Sequence, residues 1–90
     1  MQKIVQTHVD LTVANTEYSI NVPVGSTEIT FKLRDVGAEL KYYFITGAAE
    51  YLSLPAGSSR TLKGAFKGET IYFKSITSGQ TVELEYITKA

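Results

Sequence analysis

Hydrophobic and polar residues alternate with a period of two along most of this chain. Val5, Thr7, Val9, Leu11 and Val13 are interleaved with Gln6, His8, Asp10 and Thr12. Tyr18, Ile20 and Val22 alternate with Ser19 and Asn21. Ile29, Phe31 and Leu33 alternate with Thr30, Lys32 and Arg34, and Val82, Leu84 and Tyr86 with Glu83 and Glu85. Successive side chains of a strand point to opposite faces, so each stretch predicts a strand with one face in a core and the other in water. Shorter runs at 51–54, 60–66 and 71–76, together with LKYYFITG at 40–47, bring the total to about eight strands.

Turn signals separate these runs at the spacing of an all-β chain: Ala14-Asn15-Thr16, Pro23-Val24-Gly25, Asp35-Val36-Gly37, Pro55-Ala56-Gly57, Lys67-Gly68-Glu69 and Ser78-Gly79-Gln80. VPVGST at 22–27 and LPAGSS at 54–59 nearly repeat, but their flanks differ, so they read as shared turn chemistry rather than a duplication. In each, Pro suits the second position of a type I turn, and Gly suits the left-handed residue that closes a three-residue hairpin loop. GAAEYL at 47–52 is the best helix candidate. It is short, lacks a cap and lies between β runs, so it reads as a strand or an irregular connection. The expectation is one all-β domain over residues 1–90: a two-layer β-sandwich of jelly-roll or Greek-key topology, with a small barrel as the alternative.

The simple alternation breaks down at LKYYFITG. As a strand it points Leu40, Tyr42 and Phe44 one way and Lys41, Tyr43 and Ile45 the other. A domain of this size has one core, so the second face needs a cover of its own. The run at 71–76 is similar: with Ile71 and Phe73 inward, Tyr72 and Ile76 face out. If the two strands are neighbours, Tyr43, Ile45, Tyr72 and Ile76 form one apolar patch, with Arg34 and Lys41 at its rim. Contiguous apolar surface marks an interface, and tyrosine is enriched in interface cores. The competing expectation is that loops such as 47–50 cover that face within the chain.

Charge and composition narrow the function classes. Nine Lys and Arg balance nine Asp and Glu. That disfavours nucleic acid, whose binders carry a basic excess, and it eases self-association. The absence of cysteine rules out disulfides, thiol chemistry and cysteine-held zinc. No apolar run has the length of a membrane-spanning helix, and MQKIVQTHVD lacks the apolar region and cleavage site of a signal peptide, so no membrane partner is expected.

Candidate chemistry is sparse. His8, the one histidine, shares a strand face with Asp10, but no third ligand is suggested. Ser53, Ser58, Ser59, Ser75 and Ser78 read as strand or turn residues rather than nucleophiles. Glu83 and Glu85 could be paired carboxylates, but at i, i+2 they read as the solvated half of VELEYI. Gly64, Gly68 and Gly79 make no phosphate loop. FKLR, LKYYF and IYFK mix bases with aromatics, as single-strand binders do. The simpler reading places Phe31, Phe44 and Phe73 in the core with lysines as outward neighbours. No catalytic residue, metal or cofactor is expected.

Taken in order, TVANTEYSINVPVGSTEITFKLRDVGAELKYYFITG, YLSLPAGSSRTL and ETIYFKSITSGQTVELEYI resemble the small all-β virion structural proteins of tailed bacteriophages. The resemblance spans nearly the whole chain. It implies a sandwich that works by assembly in the capsid surface, neck or tail of a virion and is made in the cytoplasm of the bacterial host. Its partners would be its own copies, for instance as a trimer, and other virion proteins. The residues taken alone also lead to a non-enzymatic assembly module working through Arg34, Lys41, Tyr43, Ile45, Tyr72 and Ile76. The alternatives are a carbohydrate-binding module, in which Tyr43, Tyr51 and Tyr72 stack on sugar rings, and a single-stranded nucleic-acid binder.

Overall fold

The computed structural model describes residues 2–34, 39–47, 50–55 and 57–89. Eight strands follow one another: β1 (Gln2–Leu11), β2 (Tyr18–Asn21), β3 (Ser26–Leu33), β4 (Leu40–Tyr43), β5 (Leu52–Leu54), β6 (Ser59–Lys63), β7 (Thr70–Lys74) and β8 (Gln80–Lys89). Each predicted run holds one of them. The first ends at Leu11, so Val13 lies beyond the strand and is exposed. Gly47 is in a turn with positive φ, and no helix forms among the described residues of 47–52. The turn expected at Asp35-Val36-Gly37 lies outside the described residues.

The strands form two four-stranded antiparallel sheets, β1-β8-β3-β6 and β2-β7-β4-β5. The pairs β1–β8, β2–β7, β3–β6 and β4–β5 are those of a single long hairpin. Folding that hairpin across itself adds the β3–β8 and β4–β7 pairings. This is the jelly-roll topology. The sheets are open, with edges at β1 and β6 in one and at β2 and β5 in the other; the barrel alternative is therefore not adopted.

The alternating residues meet between the sheets. Val82 and Leu84 of β8, and Ile29, Phe31 and Leu33 of β3, face Leu40 and Tyr42 of β4, Ile71 and Phe73 of β7, and Leu54 of β5. Phe31 is at the centre, edge-on to Tyr42 at 5.0 Å and to Phe73 at 5.3 Å between ring centroids. Such pairs contribute about 0.5–1.5 kcal/mol each beyond the burial of their area. β1 and β8, at ten residues each, span about 33 Å in a body measuring 38 × 25 × 18 Å.

The two near-repeats play a different part from the one expected. Neither closes a hairpin: Pro23-Val24-Gly25 carries the chain from β2 to β3, and the 55–58 segment carries it from β5 to β6, each crossing between sheets. In both, the residue after Gly donates its N–H to the proline carbonyl, Ser26 to Pro23 and Ser58 to Pro55, each at 3.1 Å. Pro is thus the first residue of the turn rather than the second. Gly25 (φ 91°) and Gly57 (φ 82°) take the third position, where a type II turn requires positive φ.

Candidate functional site

The outer faces of the two sheets are the places where function can reside, because the space between the sheets is filled by the core. On the first sheet the outward positions are mostly polar; the exception is Ile4 of β1, which is exposed and pairs across with Ile87 of β8. His8 of β1, Glu83 of β8 and Lys32 of β3 lie in register across three strands. Glu83 pairs with Lys32 at 3.7 Å and with Arg34 at 3.3 Å. The Thr30 and Thr61 hydroxyls share a hydrogen bond of 2.9 Å. His8 Nε2 lies 3.9 Å from Asp10 Oδ2 with both side chains exposed, and among the described residues no group of three possible metal ligands converges.

On the second sheet β4 and β7 are neighbours, and Tyr43 pairs across them with Tyr72. The rings stack with centroids 5.7 Å apart and planes 11° from parallel. Tyr43 is outward in register yet only 6% exposed, because Glu17 from the β1–β2 connection closes over it. Glu17 Oε1 accepts hydrogen bonds from the Tyr43 hydroxyl and the Gly47 N–H, each 2.8 Å, and Oε2 accepts one from the Thr46 hydroxyl at 2.7 Å. The connection that presents Glu17 is itself held in place. Asn15, with φ 57°, donates its N–H to the Ser75 carbonyl at 2.7 Å, and Val13 donates its N–H to the Tyr18 hydroxyl at 3.1 Å.

These contacts set the two ionisations in opposite directions. The Gly47 amide, then the Thr46 and Tyr43 hydroxyls, hold the Glu17 carboxyl below its ordinary value. Burial, then the hydrogen bond to the negative Glu17, pushes the Tyr43 phenol up to about 12.

β4 ends at Tyr43, so Phe44 leaves the sheet instead of entering the core. It stands 47% exposed, edge-on to Tyr42 at 6.2 Å, and so continues the Phe31–Tyr42 aromatic series out to the surface. Ile45, Tyr51 and Leu52 are also exposed and line a shallow groove with it, Glu50 at its side. The Lys41 ammonium lies 4.6 Å from the centroid of the Tyr51 ring. The groove sits beside β5, the free edge of the second sheet.

The six residues expected to form one interface are therefore divided. Tyr43 and Tyr72 are stacked, and Lys41 lies on the same face. Ile45 follows the Tyr43 end of β4 and Ile76 follows the Lys74 end of β7; because Lys41 pairs with Lys74 and Tyr43 with Tyr72, these ends are at opposite limits of the sheet. Arg34 belongs to the first sheet, on Glu83. A sugar platform of Tyr43, Tyr51 and Tyr72 is not assembled either, since Tyr43 and Tyr72 stack on each other with Tyr43 buried, and Tyr51 alone of the three stands exposed. Of the basic and aromatic stretches, Phe31 and Phe73 are core residues and Lys32 is paired. Sequence reasoning missed Phe44, Leu52 and Glu17. Phe44 could have been found only from where β4 stops, whereas Glu17 gave no signal before its contacts were known.

No protein-family model and no curated protein matches the chain. Among solved structures it is similar to one from Bacillus described as "Bacillus endospore appendages form a novel family of disulfide-linked pili", at 19% identity and a TM-score of 0.47, covering 99% of this chain and 90% of that one. The resemblance to bacteriophage virion proteins is corrected accordingly: the matching structure comes from spore appendages, and no phage protein matches. The virion location and the capsid or tail partners that it implied are withdrawn with it. The present 90 residues hold no cysteine, so they have no counterpart of the disulfide linkage named for those pili.

Proposed function

We propose that this chain is a non-enzymatic structural subunit that self-assembles, a second copy of itself covering the groove beside β5. The observation that carries the reading is the apolar cluster of Phe44, Ile45, Tyr51 and Leu52 at a free sheet edge. Exposed apolar surface contiguous with a core and rimmed by charge favours association. An edge strand adds unpaired N–H and C=O groups that a second copy can meet. The flanks support a like partner: Glu50 and Lys41 border the same cluster, so two copies related by a two-fold axis can oppose unlike charges. Net neutrality removes the long-range repulsion that keeps charged subunits apart.

Leu52→Lys tests this reading by sedimentation velocity. Leu52 is half exposed at an edge, so the variant folds, and self-association is expected to weaken roughly tenfold or more. A folded variant that associates as the parent does overturns the placement of the surface.

A further inference from the structure

Between Tyr43 and β5, strand pairing no longer holds the chain, yet this is the stretch that carries Phe44 and Ile45. Its fastening is Glu17, whose carboxylate gathers the Tyr43 hydroxyl at the start of the stretch and the Thr46 hydroxyl and Gly47 N–H beyond it. Phe44 and Ile45 lie between the fastened points. An ionised carboxylate only accepts, so all three donors can be met together. A neutral carboxyl carries a hydrogen on one oxygen, and its hydrogen bonds are roughly half as strong. Among the described residues, the ionisable groups that act on the carboxylate are Tyr43 on β4 and Lys74 on β7, with Tyr72 of β7 stacked on Tyr43; Lys74 is a cation and adds to the preference for the charged form. The β4–β5 connection contributes the uncharged Thr46 and Gly47 donors.

We infer that Glu17 is an acid-sensitive latch on the self-association surface: its charged carboxylate holds Phe44 and Ile45 beside Tyr51 and Leu52, and its neutralisation releases them. The inference rests on the self-assembly reading for its consequence, but the latch itself stands on the three hydrogen bonds. Because the folded-state value is lowered, the latch is closed at and above the ordinary value of 4.5 and opens as pH falls through the lower folded value. Assembly then depends on acid through one carboxylate whose hydrogen-bond donors are Tyr43, Thr46 and Gly47 rather than the exposed apolar residues themselves.

The amide proton of Gly47 reports on the latch directly. Its NMR shift in the intact protein is expected to titrate with a midpoint below 4.5, and its exchange at pH 7 is expected to be roughly tenfold faster in Glu17→Ala. Light scattering of the same variant at pH 7 is expected to show self-association weakened roughly tenfold. Thr46→Val, which removes one donor and leaves the carboxylate, gives a smaller change in both readouts. A Gly47 shift that does not follow the carboxyl titration, with exchange unchanged in Glu17→Ala, overturns the latch. Faster Gly47 exchange with unaltered association overturns its control of assembly. Wild-type protein that is monomeric at every concentration overturns the self-assembly reading and that control with it, while the Gly47 titration separately decides the latch.

Discussion

On the outer face of the first sheet, Glu83 stands between Lys32 and Arg34, and Thr30 meets Thr61. On the outer face of the second, Tyr43 lies flat on Tyr72 under a carboxylate, and the neighbouring edge opens into Phe44, Ile45, Tyr51 and Leu52. The backbone obeys the same pleat in both places. The difference lies in what water can do for each. Exposed ion pairs and threonines are already satisfied by solvent and by one another, so the polar part of the first face needs no partner, and Ile4 of β1 is a single exposed apolar side chain rather than a cluster. The second combines a tyrosine pair that a loop must close with an apolar edge that nothing within the described residues closes. The two outer faces thus separate into a largely finished surface and an unfinished one.

The strongest perturbation removes the support shared by both. Phe31→Ala takes away the ring that meets Tyr42 and Phe73, and should destabilise the fold by about 3–5 kcal/mol in urea titration, a large part of the total for a domain of this size. A loss below about 1 kcal/mol would mean that the two sheets are not held by that aromatic centre. Next in size is a matched pair of edge substitutions. Leu52→Lys should weaken association about tenfold, roughly 1.4 kcal/mol, whereas Thr61→Lys on the first sheet should leave the sedimentation coefficient unchanged. Equal effects would erase the distinction between the faces.

Tyr43→Phe keeps the stack and deletes the hydroxyl that reaches Glu17, with an expected loss of about 1 kcal/mol. The same variant isolates an alkaline effect. Since the folded-state phenol is pushed up to about 12, the unfolded chain releases that proton first, and stability conferred by Tyr43 is lost as pH rises from 10 toward 12. Denaturation midpoints of wild type should therefore fall more steeply over that window than those of Tyr43→Phe. The smallest effect belongs to the first face. Glu83→Gln should cost less than about 1 kcal/mol, and added salt should abolish the difference.

The alternating stretches made the fold readable in advance. A run such as VELEY allows only one register that buries Val82, Leu84 and Tyr86, and β8 adopts it. The pairing of β4 with β7, on which the expected patch depended, is also present. What could not be read was where β4 stops. Continuing the alternation by one more residue put Phe44 in the core, whereas the chain leaves the sheet at Tyr43 and delivers Phe44 to the surface. The same one-dimensional view placed Ile45 with Ile76, although antiparallel pairing sends them to opposite ends. Glu17 was invisible for a different reason: its role depends on donors about thirty residues away, which only the folded chain brings to it. Pro23 and Pro55 announced turns correctly, but the sheet that each turn leads to is a property of the whole topology.

The central claim is that the unfinished face is covered by another copy of this chain. Its most direct test is the mass of the purified protein by light scattering across a dilution series. A multimer that persists at high concentration and dissociates on dilution is the result expected. A monomer at every concentration, with Phe44 and Leu52 still exposed, would contradict it.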